Sequence, residues 1–161
     1  FTEGSESQAI TLSTSYKLSS HTELSASYTE AFSKGDTSTD NLLTLTSSHL
    51  VSNAFALGVA QRHLISDTDE LKFSVGQPLR VDGGSMSLSH NDYYDEAETM
   101  HSRSVDIDLS PTGRQIDYQL QYSFSPKKNL TLGAFAYYAN DYLHQKTLTD
   151  HGVGLRLMGS F

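Results

Sequence analysis

The sequence predicts an all-β chain: an antiparallel up-and-down meander of about ten strands that closes into a barrel. Three observations carry this. Apolar and polar residues alternate with a period of two along nearly the whole chain. No stretch shows the 3.6-residue period of an amphipathic helix, and none approaches the apolar run of about 18 residues that a membrane helix needs. Short runs rich in Gly, Asn, Asp and Ser separate the alternating stretches, as hairpin links do.

The elements follow in order. AITLSTSYKL sets Ile10, Leu12, Tyr16 and Leu18 against Thr11, Ser13, Ser15 and Lys17, and SSHT turns the chain. ELSASYTEAF repeats the pattern with Leu24, Ala26, Tyr28 and Phe32, and the polar SKGDTSTD follows as a loop. LLTLTSSHLV reads as a weaker strand, VSN as a turn, and AFALGVAQRHLI as a strand with Phe55, Leu57 and Val59 on one face. ELKFSVGQPLRV presents Leu71, Phe73, Val75, Leu79 and Val81; VDGG is a hairpin signal, because glycine supplies positive φ. SMSLSHNDYY, the acidic loop DEAETMH and the alternating RSVDIDL come next. After SPTG, RQIDYQLQYSF sets Ile116, Tyr118, Leu120, Tyr122 and Phe124 against Gln115, Asp117, Gln119, Gln121 and Ser123. NLTLGAFAYYA, a loop near DYLHQKTLTD and a last strand ending on Phe161 complete the chain. Pro78, Pro111 and Pro126 fall in turns or near strand ends, where a missing N–H is tolerated.

The length of 161 residues suits one domain, 1–161, and the start on Phe1 without a basic and apolar leader leads to the expectation of a C-terminal part of a longer chain. A net charge of −8 disfavours nucleic acid as a partner, and the absence of cysteine excludes disulfides and thiol chemistry.

Alternation does not say which face meets water. A soluble sheet turns its apolar set inward; a membrane barrel turns it outward to lipid and lines its lumen with the polar set. Strand length fits the roughly 9–11 residues of a tilted spanning strand. Tyr16, Tyr28, Tyr122, Phe124, Tyr138, Tyr142 and Phe161 stand toward strand ends, where amphipathic rings suit the lipid–headgroup boundary. Closure also removes the vulnerable edges of a long meander. The polar set then supplies lumen charges: Lys17, Glu23, Arg62, Lys72, Asp106, Asp108, Asp117 and Arg156. One feature runs against expectation. Counting ten strands back from the C-terminus puts the short SPTG and VDGG outside and the longer DEAETMH and SKGDTSTD on the periplasmic side, the reverse of the usual asymmetry.

The last strand resembles the C-terminal signal of outer-membrane barrels, through Val153, Leu155, Leu157 and Phe161, with Gly159 departing from the larger residue common there. Two further segments, FSVGQPLRVDGGSMSL and LSPTGRQIDYQLQYSF, resemble the C-terminal region of subtilisin-like serine protease autotransporters of Gram-negative bacteria. The matching residues are Gln77, Pro78, Leu79, Arg80, Val81 and Gly83 or Gly84, then Leu109, Ser110, Pro111, Gly113, Arg114, Asp117, Leu120 and Tyr122; Gln115 stands where an acidic residue is common. The resemblance covers roughly residues 55–161. It implies an outer-membrane translocator and anchor for an N-terminal passenger, a barrel of about twelve strands in full, with lipid and the barrel assembly machinery as partners and no cofactor. The alternative is a soluble β-meander accessory domain of a secreted protease, with a binding or folding-assistance role.

No enzyme chemistry is expected of this chain. No serine sits in the G-T-S-x-A context of a subtilisin. The seven histidines form no HxH or HExxH pair and read as surface or lumen polar groups. Asp106 and Asp108 share a strand face, as paired catalytic carboxylates can, but neutralisation by Arg62 or Arg156 is the simpler expectation. Asp92, Asp95, Glu96 and Glu98 lack the glycine turn of a calcium loop and read as a solvated acidic stretch.

Overall fold

A computed structural model describes residues 6–34, 43–45, 50–94 and 100–159. The polar stretch 35–40, the acidic residues 95–99 and Phe161 lie outside the described residues. Among the described residues there are ten strands: β1 (Glu6–Lys17), β2 (Thr22–Lys34), β3 (Leu43–Leu45), β4 (Leu50–Arg62), β5 (Asp69–Gly83), β6 (Ser85–Tyr94), β7 (Met100–Asp108), β8 (Ile116–Lys127), β9 (Leu130–Asn140) and β10 (Thr149–Gly159). The turn expected at VSN does not form, since residues 51–53 belong to β4; of the strand expected before it, Leu43–Leu45 is strand and its neighbours 41–42 and 46–49 lie outside the described residues.

The strands make two sheets, one of seven in the order β1-β2-β4-β5-β8-β9-β10 and one of three in the order β3-β6-β7. Thus the meander holds, but with two excursions: β3 leaves it between β2 and β4, and the β6–β7 hairpin leaves it between β5 and β8. The expected closure is not found among the described residues, since β1 and β10 are the two edges of the larger sheet.

The chain also clusters into two compact units. One contains residues 6–10, 30–34, 43–45, 50–53, 81–94 and 100–111, and so the three-stranded sheet. In it β6 and β7 pair antiparallel from Ser85↔Asp108 to Tyr94↔Met100, with an irregularity between Asn91 and Tyr93, and Leu109 N–H donates to Gly84 O at 3.0 Å.

The other unit contains residues 11–29, 54–80 and 112–159, and so a part of every strand of the seven-stranded sheet. Its neighbours all run antiparallel. β5 pairs β8 from Asp69↔Phe124 to Gly76↔Asp117, β8 pairs β9, and β9 pairs β10 from Thr149↔Asn140 to Gly159↔Leu130. The β1–β2 and β4–β5 links are tight hairpins, closed by Leu18 N–H to Thr22 O at 2.9 Å and His63 N–H to Asp69 O at 3.1 Å. Arg62 N–H donates to His21 O at 2.7 Å, which sets the end of β4 beside the start of β2. Pro78 lies within β5 just past the last rung with β8, and Pro126 sits in the register shift between Phe124 and Lys127, so neither removes a hydrogen bond of the β5–β8 or β8–β9 ladder.

These directions sort the links by length. The 18–21, 63–68 and 128–129 links all leave one end of the seven-stranded sheet and are short turns. The 35–49, 84–115 and 141–148 links all leave the other end and are longer. The ten-strand count therefore does not apply to this sheet: all of VDGG but Gly84 lies in β5, and Gly84, DEAETMH and SPTG fall within the single connection 84–115 rather than in links on alternating sides.

Candidate functional site

The register divides the seven-stranded sheet into an apolar and a polar face. Across β5, β8, β9 and β10 the apolar rows are Leu71–Tyr122–Ala134–Leu155, Phe73–Leu120–Ala136–Val153 and Val75–Tyr118–Tyr138–His151, with Phe124–Leu132–Leu157 at the short-turn end. Tyr118 and Tyr138 lie at 6.2 Å between ring centres, six residues along β8 from Phe124. At roughly 3.4 Å per residue Phe124 and the Tyr118–Tyr138 pair are about 20 Å apart along the strands, close to the ~25 Å apolar band of an outer-membrane barrel.

Among the described residues the side chains of this face are largely exposed. Among the described residues Ala139 is the only buried hydrophobic one, at 3% exposure. Val153 is 85% exposed, Leu155 89%, and Leu12 74%. A water-soluble domain folds by burying such side chains, each worth about 1.5–3 kcal/mol; here they point outward in register. No helix among the described residues is long and apolar enough to cross a membrane, which says nothing about strands.

The reverse face carries Glu70–Ser123–Gly133–Arg156, Lys72–Gln121–Phe135–Gly154 and Ser74–Gln119–Tyr137–Gly152. Arg62 Nε donates to Glu70 Oε2 at 2.9 Å and its Nη2 lies 3.6 Å from Glu23 Oε2, while Lys72 Nζ meets Glu70 Oε1 at 2.7 Å. Of the expected lumen charges, Arg62 and Lys72 thus meet through Glu70, which sequence reasoning did not single out. Arg156 lines a hollow of about 350 Å³ with Gln119, Gln121, Phe135 and Tyr137. Asp117 is on the same face and accepts from Gln115 Nε2 at 2.7 Å. Lys17 stands exposed at the end of β1. Asp106 and Asp108 lie instead on β7 in the three-stranded sheet, opposite Ser87 and Ser85, because β7 pairs β6 and not β8. The sequence suggests that Arg62 neutralises them; Arg62 holds Glu23 and Glu70 instead. Ser110 N–H donates to Asp108 Oδ1 at 2.8 Å and, with the Ser110 hydroxyl, holds that carboxyl below its ordinary pKa against a smaller opposing effect of burial.

Phe135 and Tyr137 are aromatic on the polar face for a steric reason. A Cβ on Gly154 would lie 2.3 Å from the Phe135 ring, and one on Gly152 would lie 2.5 Å from the Tyr137 ring. Each ring lies across the glycine opposite it and covers backbone that has no side chain of its own.

At the long-link end, residues from both resembling segments meet the 141–148 loop. Arg80 Nε donates to Gly113 O at 3.1 Å, and Gly113 N–H donates to His144 O at 2.7 Å. His144 accepts from Gln115 N–H through Nδ1 at 3.0 Å and donates through Nε2 to Leu79 O at 3.2 Å, which fixes the neutral Nε2–H tautomer. Buried Gln115 accepts from Leu143 N–H at 2.8 Å while its amide donates to Asp117. A carboxylate at 115 accepts but cannot donate to Asp117, which accounts for glutamine there. Asp141 caps Arg114 N–H and Thr147 N–H. These bonds hold four non-glycine residues at positive φ, Asp141, Leu143, His144 and Thr147, a conformation tolerated only where the surroundings over-determine it.

At the short-turn end, Asp69 organises the 63–68 link. Its carboxylate accepts from Leu64, Ile65 and Ser66 N–H at 2.7, 2.8 and 3.1 Å, and from the Tyr122 hydroxyl at 3.0 Å. Burial pushes its pKa up, but these donors together outweigh that and hold it below its ordinary value. A carboxyl held below its unfolded pKa contributes stability that is full above about pH 4 and is lost as pH falls through the lowered folded value. Asp69→Asn is therefore expected to flatten the acid limb of stability, measured as the urea midpoint in micelles between about pH 6 and pH 3.

Val153, Leu155 and Leu157 of the C-terminal signal project from the edge strand β10 on the apolar face; Phe161 is outside the described residues. No three of the His, Asp and Glu side chains gather as a metal site among the described residues. Comparison with family models, curated proteins and solved structures finds no match.

Proposed function

We propose that the chain is the translocator and anchor domain of an autotransporter, set in the outer membrane of a Gram-negative bacterium. It exports and tethers an N-terminal passenger, a subtilisin-like protease. The observation that carries this is the exposed apolar face, continuous in register from β5 to β10 and running from Phe124 at one end to the Tyr118–Tyr138 pair at the other. Lipid is the partner that face fits. The segregation of links supports an orientation: short turns toward the periplasm and long connections outward. The meeting of Leu79, Arg80 and Gly113, three of the resembling residues, around one loop supports the reading. The barrel assembly machinery would meet Val153, Leu155 and Leu157 on the free edge of β10.

Closure is constrained by parity. Seven antiparallel strands leave β1 and β10 running in the same direction. All-antiparallel closure needs an odd number of further strands between them, and five would complete the roughly twelve of the resembled family. The Glu23–Arg62–Glu70–Lys72 network then lines the lumen and keeps it hydrated.

The open edges favour one competing account, in which the apolar face packs against a protease as an accessory domain. Fractionation with electrophoresis of boiled and unboiled samples separates the two. The expected result is an outer-membrane band that shifts on boiling; a soluble band without a shift would reject the translocator.

A further inference from the structure

Two of the seven histidines converge at the short-turn end. His21 ends the β1–β2 turn and His63 opens the β4–β5 turn, 42 positions apart in the chain, and their ring centres lie 4.8 Å apart at an interplanar angle of 53°. The geometry points to a two-histidine site for a divalent late transition metal ion, copper(II) bound more tightly than nickel or zinc. The site does not depend on what the apolar face contacts, because the two turns adjoin within the sheet itself.

Four features carry it. Two imidazoles sharing one ion through bonds of about 2.0–2.1 Å hold their ring centres about 5 Å apart, close to the spacing found. The His21 ring is oriented: its Nδ1 lies 3.1 Å from the Ser20 hydroxyl, which can accept from Nδ1–H and leave the Nε2 lone pair for a metal, as outer partners of metal-bound histidines do. Both side chains are exposed, and among the described residues no hydrogen bond occupies the His63 ring. The backbones beneath are fixed: Arg62 N–H to His21 O ties one turn to the other, and His63 is held at φ 56° by its bond to Asp69 O. The neighbouring Arg62 guanidinium is engaged by Glu23 and Glu70, so its charge is partly neutralised. With no third side-chain ligand gathered there among the described residues, water takes the remaining positions and the site stays open to an exogenous donor. An ion there ties the β1–β2 turn to the β4–β5 turn across β2 and β4, and binding to the folded state alone raises stability.

The test is copper(II) titration of the folded full chain in micelles near pH 7.5, read by calorimetry and by electron paramagnetic resonance. Cysteine is absent, so no thiol competes. The expected result is one ion per chain with the hyperfine signature of two imidazole nitrogens. His21→Asn and His63→Asn should each weaken binding at least tenfold, about 1.4 kcal/mol, and His151→Asn should leave it unchanged. Equal affinity in the wild type and both variants, or a spectrum with fewer than two nitrogens, would overturn the site. Both variants replace exposed turn residues, and an unchanged far-ultraviolet circular dichroism spectrum checks that they fold.

Discussion

Leu120→Arg is expected to reduce stable membrane insertion by about 2–4 kcal/mol, roughly 30- to 900-fold in the inserted-to-free ratio. Leu120 lies between Phe73 and Ala136 in a central apolar row, between the Tyr118 and Tyr122 rows. On the proposed lipid reading a cation there faces hydrocarbon, about 7 Å from the Tyr118 row and about 14 Å from Phe124 along β8. The penalty depends on depth, which distinguishes lipid from a protein partner. Leu157→Arg, in the row near the short-turn end, should cost only about 0–1 kcal/mol. Gln119→Arg, on the reverse face beside Tyr137, should be tolerated. Refolding into vesicles over a urea gradient reads all three. Equal penalties at Leu120 and Leu157 would mean that the face does not cross a bilayer.

Gly113→Ala should destabilise the fold by about 1–3 kcal/mol, because the added carbon has nowhere to go. It would stand 2.8 Å from Lys146 N and 2.9 Å from both Gln145 C and His144 O. These are backbone atoms, and no rotamer change relieves the contact. The 141–148 loop must lift, and His144 then leaves Leu79 O and Gln115 N–H. The loop's positive-φ residues lose the bonds that hold them, so trypsin should cut faster at Lys146. Gly83→Ala is the matched comparison: its Cβ meets nothing within 4 Å, and it should be neutral or slightly stabilising. Equal behaviour of the two variants would remove Gly113 from any role in holding the loop.

Much of the fold was legible because the β period is short and strict. RQIDYQLQYSF gave the face of β8 directly, and cross-strand partners inherit that face through the register. Pairing order was not legible. Nothing local in RSVDIDL distinguishes a strand that pairs β8 from one that pairs β6; the choice is made by non-local contacts. Asp106 and Asp108 were therefore grouped with charges of another sheet. Glu70 was missed because a charge at a strand start reads as turn chemistry until Arg62 and Lys72 are brought beside it. The role of Asp69 was not legible, because the bonds that let it organise the 63–68 link need the fold. His21 and His63 could be paired only through adjacency of their turns.

The measurement that tests the central claim most directly is a lipid-contact scan along β8. The chain has no cysteine, so single cysteines at 117–122 can each carry a fluorophore without background. In vesicles of brominated lipid, labels at 118, 120 and 122 should be quenched and those at 117, 119 and 121 should not. Quenching without alternation, or none at any position, would contradict an apolar face turned to lipid.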